Sequence, residues 1–119
     1  MNDFKNFKVY KDSQKLIVII FRLTRKFSGD FYYLTDQMNR CALSIVLNIA
    51  EGSGKRSDKD FNRYIKNALG SASELSAALD VVYNLGLISK DEFEKLISEV
   101  DQIIKQLGGF SKFLSKVRD

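Results

Sequence analysis

Residues 40–52 read Arg40-Cys41-Ala42-Leu43-Ser44-Ile45-Val46-Leu47-Asn48-Ile49-Ala50-Glu51-Gly52. Polar side chains occur only at Arg40, Ser44, Asn48 and Glu51. Spacings of three and four residues belong to a helix; a strand would alternate. At about 100° per residue these four positions share a sector of roughly 80°. The segment is a helix that is apolar over most of its girth, and such a helix has to be wrapped by other elements. The expected span is Leu34 to Glu51, stopped by Gly52 and Gly54 through the left-handed conformation that glycine tolerates.

Outward from this segment the same period continues. Leu16, Ile20, Leu23 and Phe27 form one stripe of a preceding helix from about Val9 to Phe27, which Ile17, Val18, Ile19 and Phe21 widen. The run Leu16–Phe21 is rich in β-formers, but no second strand-like run exists to pair with it. Downstream, Ser57 is placed as the N-cap of a third helix, with Asp58 and Asp60 in the first turn where the helix dipole favours negative charge. Phe61, Ile65, Ala68, Ala72, Leu75 and Leu79 form its stripe, and it ends near Leu85-Gly86. Ser89-Lys90-Asp91-Glu92 is a capping box. The fourth helix follows with Phe93, Leu96, Val100, Ile103 and Leu107 at bundle-seam spacing. Gly108-Gly109 is expected to interrupt it, with Phe110, Phe113, Leu114 and Val117 in a further docked turn or helix. Four helices of similar length joined by short loops predict an all-α fold: an antiparallel up-down-up-down four-helix bundle, one domain over residues 1–119.

Composition narrows the chemistry. The 119 residues include no His, no Pro, no Trp and one Cys. Without histidine, neither a Ser/His/Asp triad nor a Cys/His zinc site can be assembled, and the usual general base near neutral pH is missing. Asp91, Glu92 and Glu94 crowd a first helical turn, where the dipole alone accounts for them. Gly52-Ser53-Gly54-Lys55-Arg56-Ser57 has the composition of a phosphate loop but lacks its spacing and its preceding strand. The expectation is a protein that is not an enzyme, with no catalytic residue, metal or cofactor. Cys41, among Ala42, Leu43 and Ile45, reads as a small buried hydrophobe in a reducing cytoplasm. The longest apolar run falls far short of the roughly 20 residues that span a bilayer, so no membrane partner is expected.

The net charge of +4 is uneven, because residues 1–30 hold seven of the 19 basic residues and only three of the 15 acidic ones. Lys11, Lys15, Arg22, Arg25 and Lys26, with Lys5 and Lys8, are candidate phosphate contacts. A solvated outer face is the alternative reading. Lys55 and Arg56, beside the free backbone donors at the start of the third helix, are a second candidate contact for nucleic acid.

The polar sector of helix two has a counterpart on helix three in Arg63, Asn67, Gly70, Ser71 and Glu74. For helix three, exposure to water explains such a face. For helix two, whose apolar girth exceeds the usual stripe of a monomeric bundle, burial against a second subunit is expected. Asn48, Glu51, Arg63 and Glu74 would lie in that interface, and the small residues Gly70-Ser71-Ala72-Ser73 would let another backbone approach.

The stretch from Arg40 to Gly52, followed by Arg56-Ser57 and Phe61 and then by Ala68-Leu69-Gly70-Ser71 and Glu74, resembles a known family. Its members are small four-helix-bundle proteins encoded in intervening sequences of bacterial 23S ribosomal RNA genes, also labelled S23 ribosomal proteins. The accessory proteins of diversity-generating retroelements are related. The resemblance runs from the helix-one stripe to Leu85–Ser89, and Ser-Ile-x-x-Asn-Ile-Ala-Glu-Gly followed by a basic-Ser turn carries it. Val46 stands where members often have proline. The resemblance implies a ring-like homo-oligomer, a pentamer, in a bacterial cytoplasm and without established enzymatic activity. Arg40, Ser44, Asn48, Glu51, Arg56, Ser57, Gly70, Ser71 and Glu74 match its pattern. Two functions stay open: a homo-oligomer contacting RNA or DNA through its basic residues, and a scaffold for a protein partner without nucleic-acid contact.

Overall fold

A computed structural model describes residues 3–116. Four helices carry the fold: α1 (Lys8–Thr24), α2 (Tyr32–Ser53), α3 (Asp58–Asn84) and α4 (Lys90–Lys116). Short 3-10 turns at Phe4–Asn6 and Gly29–Phe31 precede α1 and α2, and there is no strand among the described residues. The run Leu16–Phe21 lies inside α1, so the helical reading of it holds.

The caps explain where the helices begin and end. The Ser57 hydroxyl accepts from the Asp60 N–H at 3.0 Å. The capping box closes in both directions: Ser89 N–H donates to Glu92 Oε1 at 3.0 Å, and Glu92 N–H donates to Ser89 Oγ at 3.1 Å. Helix α3 ends at Gly86, which has φ +76°. Gly86 N–H donates to the Tyr83 carbonyl and Leu87 N–H to the Val82 carbonyl, the pair of bonds that defines a Schellman ending.

Three sequence expectations are corrected. Helix α1 stops at Thr24, short of Phe27, and α2 starts two residues before Leu34. Helix α2 does not stop at Gly52: it runs to Ser53, and Gly54, at φ −88°, is not left-handed. Gly52 is needed for closeness instead. A Cβ there would lie 2.7 Å from the Tyr64 Cβ and 2.9 Å from the Phe61 Cδ1. Finally, Gly108-Gly109 does not interrupt α4. Two glycines cost a helix about 1 kcal/mol each. The turns beyond them recover this by burying Leu114 and by setting the Phe110 ring edge-on to Phe7 and Phe61. Val117 lies outside the described residues.

One core joins all four helices. Leu16 and Ile20 of α1, Met38, Ile45 and Ile49 of α2, Ile65, Leu75 and Leu79 of α3, and Val100, Ile103 and Leu107 of α4 are all essentially inaccessible to water. Each contributes on the order of 1.5–3 kcal/mol by burial. Cys41 is buried among them, as expected. Contacts between neighbouring helices descend one helix as they climb the next. Gln37 meets Glu74 and Ser44 meets Ser71; Asn62 meets Ser111 and Tyr83 meets Phe93. The molecule measures 48 × 21 × 20 Å. Helices α2 and α3, and α3 and α4, pack closely along their lengths, whereas α1 and α4 meet loosely. No helix among the described residues is long and apolar enough to cross a membrane.

Candidate functional site

The polar residues singled out on helices two and three come together on one face, formed by α2 and α3. At its centre the Ser44 and Ser71 hydroxyls are joined at 2.7 Å, and Asn48 Nδ2 donates both to Ser44 Oγ at 3.0 Å and to the Ser44 carbonyl at 2.9 Å. These three half-buried groups thus find partners within the chain. Charged residues surround them. Arg40 Nε donates to Asp36 at 2.9 Å, Glu51 lies 3.4 Å from Lys55, Arg63 lies 3.6 Å from Asp60, and Glu74 accepts weakly from Gln37 at 3.5 Å. All four pairs reach water, which screens them, so they order the surface more than they stabilise the fold. The face is a satisfied polar surface, pre-ordered by its own hydrogen bonds.

The structure separates the two groups of candidate phosphate contacts. Lys11, Lys15, Arg22, Arg25 and Lys26 are exposed on or just after α1. By helical phase, Lys8, Lys11, Lys15 and Arg22 share a sector of roughly 60°. Of these four, only Lys8 has a carboxylate of the described residues within ion-pair distance, Asp12 at 2.7 Å. Arg25 lies over the Phe21 ring, 5.6 Å from its centroid. Lys55 and Arg56 lie instead in the turn between α2 and α3. Lys55 is already engaged, with Glu51 on one side and the Tyr64 ring 5.1 Å away on the other. The Glu51 carboxylate, with a smaller effect from Tyr64, raises the Lys55 ammonium above its ordinary value. Arg56 is exposed and makes no ion pair among the described residues.

Burial pushes the Cys41 thiol up, and nearby Glu74 adds to that shift. The sulfur is therefore held as a neutral thiol, with Gln37 Nε2 at 3.7 Å. Among the described residues no three His, Cys, Asp or Glu side chains converge as metal ligands.

Sequence reasoning missed a set of exposed apolar side chains. Leu43 and Leu47 of α2 are 47% and 55% exposed, and Val18 and Phe21 of α1 are 42% and 53% exposed. They belong to the apolar girth of their helices, yet Leu43 and Leu47 phase with Arg40 and Val18 phases with Lys11, which places them outward.

No curated protein matches the sequence. A crystal structure of a protein of unknown function, from the S23 ribosomal protein family of Bacteroides thetaiotaomicron, superposes with a TM-score of 0.79 at 26% identity. The alignment covers 87% of this chain and 98% of that one. The sequence profile described as 23S rRNA-intervening sequence protein matches residues 5–109, from before α1 to well inside α4. On that match, which takes in nearly all of the helical fold, the chain belongs to the 23S rRNA-intervening sequence protein family.

Proposed function

We propose that this chain is an antiparallel up-down-up-down bundle that assembles as a homo-oligomer, a pentamer in the reading adopted above, and that it contacts RNA or DNA without catalysing a reaction. The observation that carries the nucleic-acid part is the row of cations on α1. Lys11, Lys15 and Arg22 lie on one side of the helix with no carboxylate within ion-pair distance among the described residues. Charges left without partners within a chain are available to phosphates, and their release of condensed counterions drives binding. Arg25 and Lys26 extend the row, and Lys55 and Arg56 supply a separate contact from another part of the chain.

Assembly is supported by the exposed Val18, Phe21, Leu43 and Leu47 and by the ordered polar face of Arg40, Ser44, Asn48, Glu51, Arg63, Ser71 and Glu74. Apolar side chains left in water on two helices favour a second copy of the chain. The cytoplasm is the proposed location.

The test is an anisotropy titration with labelled structured RNA across a salt series, using the wild type and a Lys15→Glu/Arg22→Glu double variant. Losing two phosphate contacts lowers the log–log salt slope by about two on a duplex. An unchanged slope removes the α1 row from the site. Absence of binding at low salt moves the function to the protein scaffold. Light scattering of the same samples gives the subunit count.

A further inference from the structure

We propose that Lys59 and Lys66 of α3 and Lys105, Lys112 and Lys116 of α4 form one belt with the N-terminal end of the α1 row, and that this belt seats the phosphate backbone of a nucleic-acid duplex. The inference rests on the nucleic-acid reading above, to which it adds the form of the ligand and five contact residues.

Two hydrogen bonds across helix seams set the heights. Gln106 Nε2 of α4 donates to the Asp12 carboxylate of α1 at 2.8 Å, and the Ser111 hydroxyl of α4 donates to Asn62 Oδ1 of α3 at 2.6 Å. On α1, Lys8 and Lys15 lie within about 60° of Asp12 in helical phase; on α3, Lys59 and Lys66 lie within about 60° of Asn62. Between them, Lys105, Lys112 and Lys116 share a sector of about 40° on the side of α4 opposite the buried Leu96 and Leu107. The three groups therefore stand side by side on adjoining helices. Lys59 carries the belt on to Arg56 in the α2–α3 turn, so lysines of α3 and α4 bridge the two groups of phosphate contacts described above.

All five lysines are exposed, and none has a carboxylate of the described residues within ion-pair distance. Helix α4 is divided in charge: residues 90–103 hold five acids and two lysines, and residues 104–116 hold three lysines and no acid. The helix dipole favours cations in the last turn alone, which covers Lys116 but not Lys105, and at Lys59 the dipole opposes the charge. Asp101, one turn before Lys105, bounds the belt, and Glu99 stands near Lys15 at its α1 edge. Asp58 and Asp60 each lie about 100° around α3 from Lys59. Gly108 and Gly109, between Lys105 and Lys112, raise no side chain against a backbone laid along α4.

The span from Lys105 to Lys116 is about 16 Å at the helical rise, and adjoining helix axes lie about 8–10 Å apart. That footprint reaches the phosphates on both sides of one duplex groove. Ammonium groups contact phosphates as point charges and carry no base readout. Single strands are held by stacking on exposed aromatic rings. The exposed ring at this end, Phe113, turns to α1 instead, where it lines a depression with Phe7 and Val9. A duplex, with phosphates outside and bases already stacked, is the form this belt fits.

The test is an anisotropy titration of the full chain with a labelled 20-base-pair RNA duplex and with a labelled 20-residue oligouridine, across a salt series. Two variants remove the same charge from the same helix: Lys105→Gln/Lys112→Gln within the belt, and Lys90→Gln/Lys95→Gln in the acidic half. All four side chains are exposed, so both variants keep the wild-type circular dichroism. The belt pair is expected to lower the log–log salt slope by about two and to weaken duplex binding at least about tenfold, while the other pair changes the slope by less than about 0.5. Oligouridine binds at least about fivefold more weakly than the duplex. Equal effects of the two pairs assign binding to net charge and overturn the belt. Duplex binding that the belt pair leaves intact overturns it too, with the nucleic-acid reading of the α1 row left standing. Oligouridine bound as tightly as the duplex overturns the choice of duplex. Absence of binding to either at low salt overturns the belt and the nucleic-acid reading together, and adsorption to phosphatidylserine vesicles in that case assigns the lysines to a membrane.

Discussion

Replacing Gly52 with alanine tests how closely α2 and α3 approach at their connected ends. The new Cβ would meet the Tyr64 Cβ at 2.7 Å, the Phe61 Cδ1 at 2.9 Å and the Phe61 carbonyl oxygen at 3.2 Å. A Cβ is fixed to its backbone and cannot rotate away. Restoring an ordinary carbon–carbon contact of about 3.7 Å therefore moves the end of α2 about 1 Å from α3. Overpacking of this kind costs about 1–3 kcal/mol, and rigid neighbours place it toward the upper end. Alanine returns about 1 kcal/mol in helix propensity. The net loss is about 1–2 kcal/mol, or a Tm lower by roughly 5–10 °C for a domain of this size. Gly70 and Gly108, also inside helices, have no neighbour among the described residues within 4 Å of where a Cβ would lie. There the same substitution stabilises by about 0.5–1 kcal/mol. Thermal and urea unfolding followed by far-UV circular dichroism measures all three. A Gly52→Ala protein as stable as the wild type refutes the close approach, and a destabilised Gly108→Ala protein refutes a continuous α4.

Three other outcomes follow from the polar contacts. Lys8 and then Gln106 hold the Asp12 carboxyl below its ordinary value of 3.8, so its stabilisation is present above that pH and is lost as pH falls through the lower folded value. The gap in urea stability between wild type and Asp12→Asn therefore narrows as the pH falls below 3.8; a gap that does not change as acid is added contradicts the pairing. Cys41, buried and held neutral, reacts with iodoacetamide far more slowly in the native protein than in urea, and equal rates would show the site to be open. Ser44→Ala and Ser71→Ala each cost about 1 kcal/mol, and the double variant costs less than their sum, because both remove the same hydrogen bond; strict additivity would mean the two hydroxyls do not interact.

Features governed by neighbours in sequence were legible before the structure. Ser57, the Ser89–Glu92 box and the glycine ending at Gly86 act over three or four residues, and each was placed from local pattern alone. Features governed by distance between helices were not. Gly52 looks like a stop signal until Tyr64 is seen against it. Gly108-Gly109 reads as a break, because the packing of Phe110 and Leu114 that overrides it is tertiary. On the candidate face, the shared phase of Arg40, Ser44, Asn48 and Glu51 was readable. The bond from Ser44 to Ser71 was not, since it joins residues 27 apart whose register only the folded chain sets.

The loose meeting of α1 with α4 also bears on how the molecule opens and closes. Helix α2 packs closely on α3, and α3 on α4, so these contacts form with short loop closures. Only the first-to-last seam requires ends far apart in the chain to meet. With no proline in the sequence, no prolyl isomerisation delays any step. Refolding should therefore be fast and free of slow phases, and α1 should be the outermost cooperative unit of the native state. In native-state hydrogen exchange its amides would open at lower free energy than those of α3, which is flanked on two sides.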